Sequence, residues 1–202
     1  MEIIEIFLIV VIVSLSGALS PGPLFFCSII DGAKKGAKGG FYISLGHTLF
    51  EFPYVFLLSL GLQNLILNFK FEISLIGGLA LIFFGSLQMY EAFKEKKPKN
   101  NLRFTNSIIL GVIFTGLNPF FLIWWVTVGL KIILDSLTLA SLTGLLLMYL
   151  FHIWIDFLFL TLSAYLAKKG INLLGLRIYP LLLFSFSSLL IIFGIYFIIS
   201  IK

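Results

Sequence analysis

The chain has 202 residues, 60% of them hydrophobic and only 11% charged, with a mean hydropathy of +1.12. That is far too apolar for a water-soluble domain and points to a membrane protein. The net charge of +5 is small and confined to the links between apolar runs, which argues against nucleic acid as a partner and makes the basic residues markers of membrane topology.

Six apolar segments follow in chain order. The first runs from Ile3 to Ile30 and is interrupted by Ser20-Pro21-Gly22-Pro23; its other polar side chains are Glu5, Ser14, Ser16 and Ser28. Each proline removes a backbone donor and clashes with the carbonyl four residues earlier. In hydrocarbon the freed backbone groups must be covered by protein or face a water-filled cavity. The break therefore reads as one wall of a substrate path, against the plainer reading of a packing kink or an early helix end. The start of this segment carries Glu2 and Glu5 and no Lys or Arg, the wrong charge for a cleaved signal peptide, so it is expected to stay as the first membrane helix. Cys27, the single cysteine, rules out an intrachain disulfide and reads as a packing residue.

A short loop, Asp31 to Lys38, is expected next, then the second segment from Gly39 to Leu62. Gln63 to Phe71 forms a polar turn, and the third segment runs from Glu72 to Phe93. Lys94 to Phe104 is the longest polar link. The fourth segment spans Thr105 to Leu130, with a tight turn over Lys131 to Ser136, and the fifth spans Leu137 to Ala167. The sixth runs from Ile178 to Ile201. At ~1.5 Å per residue each can cross a hydrocarbon core of ~30 Å. Gly77, Gly78, Gly85 and Gly194 suit close helix packing, and Gly32, Gly36, Gly39 and Gly40 bracket the first basic loop.

The links after the first, third and fifth segments hold Lys34, Lys35 and Lys38; Lys94, Lys96, Lys97, Lys99 and Arg103; and Lys168, Lys169 and Arg177. The other basic residues are Lys70, Lys131 and Lys202. By the positive-inside rule the three basic links are cytoplasmic and both termini lie outside.

The fourth segment carries a second break, Leu117-Asn118-Pro119-Phe120, three helices after the first. The second segment contains His47 and Glu51, and the fifth contains His152 and Asp156. These are the 2 histidines of the chain, each followed four residues later by a carboxylate on the same helix face. The repeated offset of three helices implies two homologous halves, 1–97 and 98–202. Three is odd, so the second half enters from the opposite side: an all-α, six-helix inverted repeat with its first and fourth helices broken, the build of secondary transporters. Leu24 with Phe25, and Phe120 with Phe121, begin half-helices whose N-termini suit an anionic substrate group. Carboxylates inside the membrane are costly and mark pathways, and a His–carboxylate pair can relay a proton, balance a substrate ammonium or ligate a metal. The plainer reading is an interhelical hydrogen bond. Trp124 and Trp125, just past the second break, are candidates for interface anchors or pocket walls.

These motifs together resemble the lysine-exporter and homoserine-resistance (LysE/RhtB-type) amino-acid translocators, nearly end to end. The resemblance rests on Pro21-Gly22-Pro23 in the first helix, Gly46-His47 in the second, and Leu75-Ile76-Gly77-Gly78 through Phe84-Gly85 in the third. Asn118-Pro119, Asp156 and Gly194-Ile195-Tyr196 continue it in the fourth, fifth and sixth. The chain differs at His47, where the family often has Asp, and at Phe120, where it often has Lys. The resemblance implies a secondary exporter of amino acids or related small metabolites, working by alternating access and driven by a proton or ion gradient. Pro21, Gly22, Pro23, Asn118, Pro119 and Trp124 are the candidate substrate-binding residues, and His47, Glu51, His152 and Asp156 the candidate coupling residues. The alternative is a divalent-metal or other cation exporter using those four as ligands. No His-Glu-x-x-His or serine–base constellation suggests an enzyme. No cofactor is expected; the expected partners are the substrate, the coupling ion and the bilayer, and a homo-oligomer is left open.

Overall fold

The computed structural model describes residues 3–63, 68–94, 106–175 and 177–200, and among them every element is a helix. In chain order these are α1 (Ile3–Ala18), α2 (Pro23–Lys35), α3 (Ala37–Ser59), α4 (Lys70–Lys94), α5 (Ser107–Gly116) and α6 (Pro119–Trp124). A π-helical turn (Trp125–Gly129), α7 (Leu130–Leu174) and α8 (Ile178–Ile199) complete them. Four helical runs are long and apolar enough to cross a membrane, or five when α1 and α2 count as one bent span. The link from Lys94 to Phe104 and the boundary between halves at Lys97 and Pro98 fall outside the described residues, apart from Lys94 itself.

Both expected breaks are present. The axes of α1 and α2 differ by 71°; α2 starts with Pro23 at its first turn, where a missing N–H costs nothing, and Gly22 is its N-cap in extended conformation. The chain breaks again at Leu117–Asn118, and α6 starts with Pro119 behind the N-cap Asn118.

Besides the end of α7, which continues past the expected Ala167 to Leu174, two boundaries differ from expectation. The residues Asp31 to Lys35 are not a loop but the last turn of α2, and Asp31 and Lys34 are buried. The turn into α3 is the single residue Gly36, whose φ of 67° favours glycine. The charges fit inside the bundle because they find partners. Asp31 pairs with Lys35 at 2.8 Å and accepts from the Ser107 hydroxyl at 2.7 Å. Lys35 also donates to Ser107 at 2.8 Å, and Lys34 donates to the side-chain oxygen of Gln88 at 2.8 Å. Lys168 donates to the Lys34 carbonyl at 2.8 Å. This clasp ties α2, α4, α5 and α7 together at one end of the bundle.

The second difference lies at Lys131 to Ser136, which is helical rather than a turn. An ion pair between Lys131 and Asp135, one helical turn apart at 2.8 Å, suits that conformation. The chain reverses later, at Ala140–Ser141, where the dihedral angles leave the helical region. Gly144 packs directly on the Ser136 carbonyl, although eight residues of straight helix would separate them by roughly 12 Å. The run from Pro119 to Leu174 thus folds back on itself.

Glycines set the closest approaches. The α4 and α8 helices cross with Gly78 and Gly194 backbone to backbone, α3 and α5 meet at Gly46 and Gly111, and Gly32 and Gly40 seat α2 and α3 against Ala164 of α7. Without side chains at these points the backbones come near enough for close packing in an apolar solvent, where the hydrophobic effect does not drive helices together.

Candidate functional site

A cavity of about 480 Å³ lies where the breaks meet. Ser20, Pro21, Gly22 and Pro23 form one wall, and Asn118, Phe120 and Phe121 another. His47, Glu51, His152 and Asp156 close its depth. Trp124 and Trp125 both line it. Of the residues expected to bind substrate, Pro119 alone is not among the lining residues; it is buried behind Asn118.

The two His–acid pairs converge into one ring. His47 Nε2 lies 3.1 Å from Glu51 Oε1 and 3.8 Å from Asp156 Oδ2. His152 Nε2 lies 3.2 Å from Glu51 Oε1 and 3.2 Å from Asp156 Oδ2. All four residues are buried. The i,i+4 spacing placed each pair on one helix face, and the packing of α3 on α7 brings the faces together.

Each histidine is held from behind by a hydroxyl on a broken helix. His47 Nδ1 is 2.9 Å from Thr115 Oγ1, and His152 Nδ1 is 2.8 Å from Ser14 Oγ. A hydroxyl can donate to a neutral ring or accept from a charged one, so either protonation state keeps this bond, while each Nε2 stays aimed at the carboxylates. Thr115 directly precedes the second break and Ser14 sits two turns before the first. Both ties therefore link the ring to the break on a neighbouring segment.

The two acids differ in how completely they are satisfied. Glu51 Oε1 accepts from Trp125 Nε1 at 3.0 Å and from His152 at 3.2 Å, and its Oε2 accepts from the Tyr149 hydroxyl at 3.2 Å. Asp156 Oδ2 and His47 Nε2 are buried near opposite charges yet make no hydrogen bond of proper angle. Trp125 reaches Glu51 from the π-helical turn, a feature frequent at functional sites. Trp124 stacks on His152 at 6.1 Å between centroids, with its ring lying on Gly17.

The same atoms offer a metal geometry: one ligand atom each from His47, Glu51 and Asp156 lies within 4.8 Å of the others. Tyr149, Thr115 and Ser14 were not singled out in the sequence. Each is an ordinary polar residue in an apolar run, and its partner lies 68 to 138 positions away.

The family model described as LysE type translocator matches residues 15–201, nearly the whole chain, and includes both breaks and the four ring residues. Searches of curated proteins and of solved structures find no match. The chain belongs to the LysE type translocator family, whose members move amino acids or related compounds across membranes rather than catalyse reactions.

Proposed function

We propose that this LysE type translocator is a secondary active exporter of amino acids or close analogues, with the four-residue ring as its coupling site. The observation that carries the reading is the convergence of His47, Glu51, His152 and Asp156 on the cavity between the two breaks. A buried ring of two acids and two imidazoles can take up and release a proton. A substrate entering the cavity meets both the ring and the half-helix ends. Pro21, Gly22, Pro23 and Trp124 contact the substrate, Asn118 with Pro119 behind it shapes the opposite wall, and the ring binds the substrate amine or carries the coupling proton.

Six crossings in two inverted halves, 1–97 and 98–202, belong to this reading. Three features support them. The bend between α1 and α2 makes one span, and the reversal at Ala140–Ser141 divides the run from Pro119 to Leu174. Much of the packing is reciprocal: the first segment lies on the fifth and the second on the fourth, while the second–fifth and third–sixth pairs map onto themselves. The hydroxyl ties obey the same exchange, His47 to Thr115 and His152 to Ser14. Alternating access then follows as rocking of one half against the other. The basic residues Lys34, Lys35 and Lys168 gather at the clasp, which by the positive-inside rule faces the cytoplasm.

A second reading, export of a divalent metal, is favoured by the spacing of His47, Glu51 and Asp156. Thermal unfolding of the purified chain with amino acids and with zinc or manganese, side by side, separates the two. Stabilisation by amino acids, unaffected by a chelator, supports the first. Stabilisation by metal alone, lost in His47→Ala, contradicts it.

A further inference from the structure

We infer that the cavity is built for one zwitterionic α-amino acid with an uncharged, apolar side chain, its carboxylate at the start of α2 and its ammonium at Asp156. This rests on the translocator reading above and names its substrate class.

The two half-helix ends are not equivalent. At the second break the Asn118 side chain already accepts from the Phe120 and Phe121 amides at 3.1 and 3.4 Å, so that N-terminus is closed. At the first break the N-cap is Gly22, which makes no side-chain cap. The amides that begin α2, at Leu24 and Phe25, belong to residues lining the cavity. An anion there gains open donors and the positive end of a helix dipole. The cavity thus offers one carboxylate site, not two.

The ring offers one ammonium site by the same logic. Both oxygens of Glu51 are occupied by Trp125, His152 and Tyr149. Asp156 lines the cavity, and its buried Oδ2 lies 3.2 Å from His152 Nε2 and 3.8 Å from His47 Nε2 without a hydrogen bond of proper angle to either. An ammonium beside it would supply the missing donors, and a second ammonium would have to displace the partners of Glu51.

Apart from the neutral side chains of Ser16, Ser20 and Asn118, what remains of the wall is apolar or backbone. Phe25, Phe120, Phe121, Phe159, Phe193 and Trp124 line the cavity, with Phe121 and Trp124 against the ring histidines, and no Lys or Arg is among the lining residues described. A charged substrate side chain would lie against aromatic rings without a counter-ion, at a large desolvation cost. An apolar side chain gains contact there.

The test is counterflow in vesicles holding the full-length chain, with labelled leucine as the probe. Unlabelled leucine, phenylalanine or methionine should compete, and lysine and glutamate should compete at least about tenfold less well. The matching amine, 3-methylbutylamine, and acid, 4-methylpentanoate, should also compete weakly, since each leaves one pole empty. Lysine or glutamate exchanging as well as leucine overturns the inference and leaves the translocator reading standing. Exchange of no amino acid at all overturns both. Gly22→Asn supplies a second, structural arm. A side chain has room at Gly22, whose added Cβ would meet nothing nearer than 3.9 Å. Asparagine there should cap α2 as Asn118 caps α6, leaving thermal stability equal or higher while leucine exchange falls. Unchanged leucine exchange in a stably folded Gly22→Asn chain overturns the carboxylate placement.

Discussion

The clasp and the ring are both buried polar clusters among the described residues, and they are finished to different degrees. In the clasp, Asp31 has both carboxylate oxygens engaged, by Lys35 and by Ser107. In the ring, Asp156 and His47 are equally enclosed but keep atoms without a hydrogen bond. A completed cluster has nothing left to offer a ligand and serves to hold helices in place. An incomplete one costs stability where it stands and leaves groups that an arriving ligand can satisfy. On the proposed reading, burial of charge alone does not mark the transport site in this chain; unfinished bonding next to a cavity does.

Mutations in the ring and in the clasp should have opposite consequences. Asp156→Asn should reduce transport to background while changing unfolding free energy by less than about 1 kcal/mol, since it removes a carboxylate that is incompletely bonded. Parallel transport and thermal-unfolding measurements check this. Asp31→Ala should do the reverse: stability falls by about 3 kcal/mol, the low end for a broken buried pair because Lys35 still reaches solvent. The molecules that remain folded should still bind leucine. A Asp31→Ala chain as stable as the wild type would erase the distinction.

Smaller effects are expected at the residues that support the ring and the second break. Ser14→Ala should lower transport severalfold and add nothing on a His152→Ala background, because the hydroxyl acts through that imidazole. Additive losses would separate Ser14 from the ring. Asn118→Ala removes an N-cap and should cost about 1 kcal/mol, read as a lowered melting temperature with transport reduced only slightly.

The halves of this picture were unequally legible in the amino-acid sequence. The breaks could be read because proline and glycine act on their own backbone. The His–acid pairs could be read because a four-residue spacing fixes a helix face. The clasp could not. Asp31 and Lys34 follow an apolar run and look like a solvated link, while their partners Ser107 and Gln88 stand 76 and 54 positions away. The turn expected at Lys131 to Ser136 failed for a related reason: the local polarity is absorbed by a pair within one helical turn, and the reversal falls at Ala140–Ser141, which carries no proline or glycine. Trp125 and Tyr149 were hidden because only the packing of α3, α7 and the π turn shows that they complete Glu51.

The claim that the ring drives transport is tested most directly in vesicles with an imposed pH gradient, comparing wild type with Glu51→Gln at equal inserted protein. Gradient-driven amino-acid transport is expected in the wild type and background transport in Glu51→Gln. Wild-type rates in Glu51→Gln would contradict it.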